Sequence, residues 1–441
     1  MVRKFPEISP KKDGVPGARQ CPIMNSSLIS DFTADRPGTY WYHGHYSSQY
    51  PDGQIGPLII DPLVDPYQSM YNNELILLAN DYYSVHTVDL IPGYMSPGSG
   101  GNEPMPDAIA VNNYFSGKFP PFFVGSNKKL LVRFINAAAL SMYNVSFDGL
   151  NITIIGVDST NVKPYKVPWV LVNVAQRVNF IVDFDTMDPA LSGQNAIYFR
   201  SGVVPDMYPA YNSSAPYPYG LYGAGSCFKS NAFPANCNSS NSLGFNTSWS
   251  GEIQLVLGAH PTYTVPPINW PSYSSDYNLL NAQLLHPDPA PTPDIFLYQF
   301  VEFYNDMNGT NHAYVNGQTF PGYTMAQLET PQLKQFLNTT FYNQYYDGPK
   351  NVNLNGSGTV NYVLPYNKTI ELLINNTDGG AHPFHLHGGD FWIVESSDNP
   401  LTINGALHNP NYLIRDTVTV PPMGYVKIRW ATKNPGGELL F

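Results

Sequence analysis

Two observations predict an all-β protein of the sandwich or barrel class. Short runs rich in Val, Ile and aromatic residues recur along the whole chain, and the composition favours strands joined by turns: 32 Tyr, 41 Pro and 36 Gly in 441 residues, with only 12% charged. In chain order the first runs are "GPLIID", "ELILLAND", "KLLVRFIN" and "NITIIGVD", each closed by Asn or Asp. The longest, "WVLVNVAQRVNFIVDF", comes next, followed by "AIYFR" and by "EIQLVLGA" just after Gly251. "TIELLINN", "FWIVESSD", "DTVTVP" and "YVKIRWA" complete the series, again bounded by Gly, Pro, Asn or Asp. Helical pieces are few, such as "MAQLETPQLKQFL".

Breaks fall at "DPLVDPY" (61–67) and in the Pro-rich "HPTYTVPPINWPSYSS" with the later "HPDPAPTPD". They divide the chain into a short first unit (1–62), a middle unit (63–260), a Pro-rich linker (261–291) and a last unit (292–441). The polar stretch 205–250 reads as a surface excursion of the middle unit.

The net charge of −11 leaves no basic face to displace phosphate counterions, which excludes nucleic acid as a partner. No apolar run reaches the roughly 18 residues of a membrane span. N-X-Ser/Thr recurs at Asn25, Asn144, Asn151, Asn212, Asn238, Asn246, Asn308, Asn338, Asn355, Asn367 and Asn375, which reads as a glycosylated, secreted protein. The opening "MVRKFPEISP" has no apolar core and is not a signal peptide. Cys227 and Cys237 flank a polar loop and could close a small disulfide, leaving Cys21 over.

Five of the ten histidines lie in two segments, "WYHGHYSSQYPDG" (His43, His45) and "HPFHLHG" (His382, His385, His387). On a strand, residues two apart share a face, so His385 and His387 point one way and His382 the other, and His43 pairs with His45. Clustered imidazoles suit Cu, Zn, Fe or Ni. His86, His260, His286, His312 and His408 stand alone and read as structural or exposed.

"HPFHLHG" and "GTYWYHGHYSSQYPDGQIGPLII", supported by "DGVPGARQCPI", "VRFINAAALSMYNVSFDG", "LVNVAQRVNFIVDF" and "RDTVTVPPMGYVKIRW", resemble the multicopper oxidases, most closely their laccase-like members. The resemblance implies three cupredoxin-like Greek-key β-sandwich domains, the first and last incomplete here. It implies a type 1 copper and a trinuclear cluster, with His382 a type 1 ligand, His385 a type 2 ligand, and His387, His43 and His45 ligands of the type 3 pair. Asp13, in "DGVPG", matches a family aspartate that helps deliver protons to bound oxygen, or is a solvated turn residue. The implied reaction is one-electron oxidation of a small reducing substrate such as a phenol, coupled to four-electron reduction of O2 to water by a secreted monomer.

Two family motifs, H-W-H-G before Asp13 and H-C-H after "RWATKNPG", are not in the sequence. In similar laccases the Cys of "QCPI" is tied to a cysteine near the far C-terminus, so Cys21 points the same way. The expectation is that both ends are truncated or replaced, at about Lys12 and Gly436, and that the polypeptide as written has no blue colour and negligible oxidase activity. A ferroxidase or another multicopper oxidase such as an ascorbate oxidase is the alternative within the class; a ferroxidase would want acidic side chains beside the type 1 site, and because the sequence shows no clear acidic pair near His382, only the candidates Asp378 and Asp390, it ranks below the laccase. A non-catalytic copper-binding relative is the alternative outside it.

Overall fold

A computed structural model of the chain describes residues 34, 36–116, 118–125, 128–204, 207, 248–263, 282–319, 362, 364–397 and 412–433. It forms two compact units, one of Pro37–His43 with Tyr50–His286, the other of Met1–Arg36, Gly44–Gln49 and Pro287–Phe441. The all-β expectation holds.

The first of these units contains β1 (Gly38–His43), β2 (Ile55–Ile60), β3 (Asn73–Tyr82), β4 (Ala108–Val111), β5 (Phe122–Phe123), β6 (Lys129–Asn136) and β7 (Tyr143–Phe147). It continues with β8 (Ile152–Val157), β9 (Thr160–Val167), β10 (Val170–Val172), β11 (Arg177–Asp183), β12 (Ala196–Val203) and β13 (Ser248–Gln254). A six-stranded sheet in the order β4-β3-β6-β11-β8-β9 and a five-stranded sheet in the order β10-β7-β12-β13-β5 meet through Phe134–Tyr143 and Phe147–Phe180 ring contacts. β6 and β11 are buried almost end to end, as central strands between two covered faces should be. β9 carries Pro164 and alternates buried with exposed positions, which its place at the end of the sheet permits.

The hairpin β1–β2 lies on this unit: Trp41, Ile55, Ile59 and Ile76 pack against Leu78, Ile135 and Ala137. Buried Arg177 donates from Nε to Thr39 O at 2.7 Å, and its backbone N–H donates to the buried carboxylate of Asp158 at 3.0 Å. Thr39 Oγ1 also accepts from Arg133 and donates to Asn179 Oδ1 at 2.8 Å. These bonds fix β1, and with it His43 at its end. From the region read as linker, Ala282–Leu285 lies along β9, with Lys163 N donating to Gln283 O and a bridge between Val162 and Leu284.

The second unit contains β14 (Ile295–Asn305), β15 (Asn311–Val315), β16 (Thr369–Asn376), β17 (His382–His385), β18 (Phe391–Ser396), β19 (Ile414–Arg415), β20 (Thr417–Val420) and β21 (Tyr425–Ala431). Its six-stranded sheet has the order β15-β14-β16-β21-β18-β19, and β17 pairs with β20. This sheet repeats the other one strand for strand: an antiparallel edge pair, then a parallel pair (β3–β6, β14–β16), then antiparallel neighbours.

Even single side chains recur. Asn112 and Asn316, both at positive φ, each accept from a backbone N–H of the neighbouring strand and donate to a carbonyl two residues back. Asn136 and Asn376 each cap the N–H two residues on and donate to two carbonyls. Aligning Asn136 with Asn376 sets Met142, Val145 and Phe147 of one unit opposite His382, His385 and His387 of the other. The three counterparts are buried apolar side chains.

Candidate metal centre

The register of β17 on β20 sets His382 opposite Val420 and His385 opposite Thr417. As expected, His382 and His385 share one strand three residues apart. His387 does not continue that strand: β17 ends at His385, and His387 sits in the turn that Gly388 completes at φ 83°. Likewise β1 ends at His43 and His45 lies beyond it. Face sharing along one strand therefore does not organise either pair, because both strands stop at the first histidine.

His385 Nδ1 is 2.9 Å from Asp416 O and 3.0 Å from Thr417 Oγ1. The carbonyl can only accept, so Nδ1 carries the hydrogen and Nε2 presents a lone pair. Thr417 Oγ1 directs its own hydrogen to Asp416 Oδ1 at 2.9 Å, which leaves its lone pairs for the imidazole. The rings of His385 and His387 lie 5.0 Å apart, as do those of His387 and His45.

His45 Nε2 and His387 Nε2 face each other at 3.4 Å. Two nitrogens each about 2.0–2.1 Å from one ion at a near-tetrahedral angle lie about 3.3–3.4 Å apart. The pair thus fits a shared first-row metal in spacing and in donor type. Among the described residues no group of three His, Cys, Asp or Glu is assembled around one point.

His382 is held separately. Its Nε2 is 3.0 Å from Asp378 Oδ2, and its ring stacks on Phe303 at 4.7 Å. A carboxylate accepts, so Nε2–H donates and Nδ1 is the atom left for a metal. Asp378 Oδ2 also accepts from Gly380 N at 2.9 Å, and a Cβ at Gly380 would stand 2.9 Å from that oxygen. Asp390, the other acidic candidate, is buried and paired with Arg36 at 2.7 Å, so it is committed to structure.

In the other unit His43 stacks on Trp41 at 4.2 Å and meets the edge of Tyr50 at 5.3 Å. Burial, then the nearby Asp81 carboxylate, push the Tyr50 phenol up to about 12. Of the lone histidines, His86 and His260 are largely exposed beside Asp52 and Glu252, and His312 lies 3.4 Å from Asp306. Asp13, His408, Cys21, Cys227 and Cys237 lie outside the described residues. Sequence reasoning missed Thr417 and the Asp416 carbonyl, whose only signal is the β17–β20 register.

Family models described as "Multicopper oxidase" match residues 7–64, 73–195 and 325–439. The chain belongs to the multicopper oxidase family. It is 28% identical to the iron transport multicopper oxidase fio1 of Schizosaccharomyces pombe, over 99% of this chain and 63% of that one. It is also 28% identical to laccase-2 of Fomitopsis schrenkii, over 96% of this chain and 72% of that one. The fold is similar to the crystal structure of Fet3p, a multicopper oxidase that functions in iron import (TM-score 0.75, 23% identity, 96% of this chain, 73% of that one). A laccase from Botrytis aclada is similar at a TM-score of 0.67 and 19% identity, over 96% of this chain and 70% of that one. The chain therefore spans about 63% of the length of the first of these curated relatives. The cofactor of multicopper oxidases is copper and their oxidant O2, which the imidazole donors suit. Among the described residues no helix is long and apolar enough to cross a membrane.

Proposed function

We propose that the whole protein is a ferroxidase-type multicopper oxidase, taking one electron from each of four Fe2+, which leave as Fe3+, and passing the four with four protons to O2 to give two waters. The contact between His382 Nε2 and Asp378 Oδ2 at 3.0 Å carries this reading, because both side chains are partly open to solvent. Carboxylate oxygens are ligands of choice for a hard cation, and an acidic chain attracts one. Asp378 would bind Fe2+ while its hydrogen bond to His382 gives the departing electron a short path to the imidazole. Relatives named for iron transport support the same substrate.

We assign His382 Nδ1 to a type 1 copper, His385 Nε2 to a type 2 copper, and His387, His45 and His43 to the type 3 pair. When bound, copper supplies one-electron redox chemistry and the site of oxygen reduction. The protein's own share is orientation: Asp378 and Phe303 hold His382, while Thr417 and the Asp416 carbonyl hold His385. The laccase reading, with phenols as reductant, is the second reading, supported by the laccase relatives.

Steady-state oxidation by the whole copper-loaded protein separates them. Asp378→Ala should lower kcat/KM for Fe2+ roughly tenfold to a hundredfold more than for a bulky phenol, the range that about 1.5–3 kcal/mol of charged hydrogen bonding carries, because the phenol loses only the support that Asp378 gives His382. Equal losses on both substrates would remove Asp378 from iron recognition.

A further inference from the structure

We infer that Asn151, Asn308 and Asn367 are N-glycosylated and that Asn144, which has the same acceptor pattern, is not. Five of the eleven N-X-Ser/Thr asparagines lie among the described residues, and the fold separates them. Asn308 is exposed in the turn between β14 and β15, where Asp306 Oδ1 accepts from both Asn308 N and Thr310 N and the next side chain, Met307, is fully in solvent. Asn367 is exposed at φ 56° in the turn before β16.

Asn151, exposed just before β8, opens on a groove of about 410 Å³ shared with Thr153, Tyr165, Lys129, Lys166 and Asp183. Charged groups that bond sugar hydroxyls beside an aromatic face that covers C–H surface are a suitable bed for the first residues of a glycan. By contrast Asn144 lies on β7, paired with Leu171 on one side and Gly202 on the other, fully buried. Its Nδ2, the atom that would carry sugar, is sealed and bonds no other described group. A glycan there would have to pass through packed core, which the interior density forbids. Asn375 is half-buried on a central strand, opposite Phe300 and Tyr425.

The transfer is from a lipid-pyrophosphate-linked oligosaccharide of the host. The asparagine nitrogen forms a bond to the anomeric carbon, the carbon–oxygen bond to pyrophosphate breaks, and the amide gives up one proton with no change of oxidation state. The inference rests on passage through a glycosylating secretory compartment and is independent of the choice between iron and phenol.

The test is to express the protein behind a secretion leader in an N-glycosylating yeast. Both the secreted pool and the pool held in the secretory membranes are treated with peptide N-glycosidase in heavy-oxygen water, and the labelled aspartates are mapped. Label at 151, 308 and 367 with none at 144 is the expected result. Label at 144 in soluble protein, or none at the three exposed positions in either pool, overturns it. As a second reading, Asn144→Gln should leave gel mobility unchanged, whereas the triple Asn→Gln variant at 151, 308 and 367 should migrate as a smaller species.

Discussion

The imidazoles of His382 and His385 have their tautomers set by different acceptors, one by a carboxylate four residues earlier, the other by a carbonyl and a hydroxyl across a strand pair. Thr417→Val keeps the shape and the Asp416 carbonyl but removes the hydroxyl, so copper affinity at His385 should fall about 10–100-fold, the usual cost of losing an outer partner of a metal ligand. Thr417→Ser should restore it. Competition against a chelator reads the change, and an unaltered Thr417→Val variant would show that the carbonyl suffices. The histidines themselves were legible because three in six residues is a local signal. Thr417 was not, because it lies 32 residues from His385 and meets it only through the register. Asp378 was legible as a candidate but not as a choice over Asp390; burial and Arg36 decide between them.

Strand β1 is tied down by two buried cations, Arg133 and Arg177, and Arg177 also faces a buried carboxylate. Arg177→Met would leave Asp158, fully buried, without its guanidinium at 3.7 Å, and breaking such a pair costs about 3–5 kcal/mol. Denaturant titration of the single variant and of Arg177→Met with Asp158→Asn checks this: the double variant should recover part of the loss, and equal stabilities would remove the ion pair from the account. The sheet of β14 to β21 has its own acid sensitivity. The Thr369 N–H, then Lys368, hold Asp294 below its usual range; the Thr310 N–H outweighs desolvation at Asp306. Desolvation pushes Glu395 upward, but Lys427 and Tyr425 prevail and leave it lowered.

A carboxyl depressed in the folded state contributes stability that is present above its unfolded pKa and lost as pH falls through its folded one. The protection of backbone amides in this sheet, corrected for their intrinsic exchange rate, should therefore fall below about pH 4, where unfolded carboxyls protonate, and Asp294→Asn should blunt the effect. Protection that stays constant from about pH 6 to about pH 3 would contradict it. The apolar runs read as strands form them among the described residues, except that "EIQLVLGA" leaves β13 after Gln254 and turns with Val256 and Leu257 exposed, and "WVLVNVAQRVNFIVDF" divides into β10 and β11 where Ala175 takes a φ of 65°. The helix Thr87–Tyr94 escaped notice because it is short and contains Pro92, and β9 because Pro164 disguises an edge strand. "MAQLETPQLKQFL" lies outside the described residues.

At the scale of the molecule, the two units share one design, and only one of them carries histidines at the three matched positions. Met142, Val145 and Phe147 occupy the positions of His382, His385 and His387, and Val145 faces Val170 where His385 faces Thr417. An apolar pair packs; a histidine and a threonine orient a lone pair. This repeat was not legible in the sequence, because Asn112 with Asn316 and Asn136 with Asn376 are matched by hydrogen bonds more than by their neighbours. Class and family chemistry were legible because turn residues and histidine motifs are local. The measurement that tests the central claim most directly is anomalous diffraction at the copper edge from crystals of the whole copper-loaded protein. The account predicts one peak at His382 Nδ1 and separate density at His385 Nε2 and between His45 and His387. A peak at His382 Nε2, or no metal between His45 and His387, would contradict it.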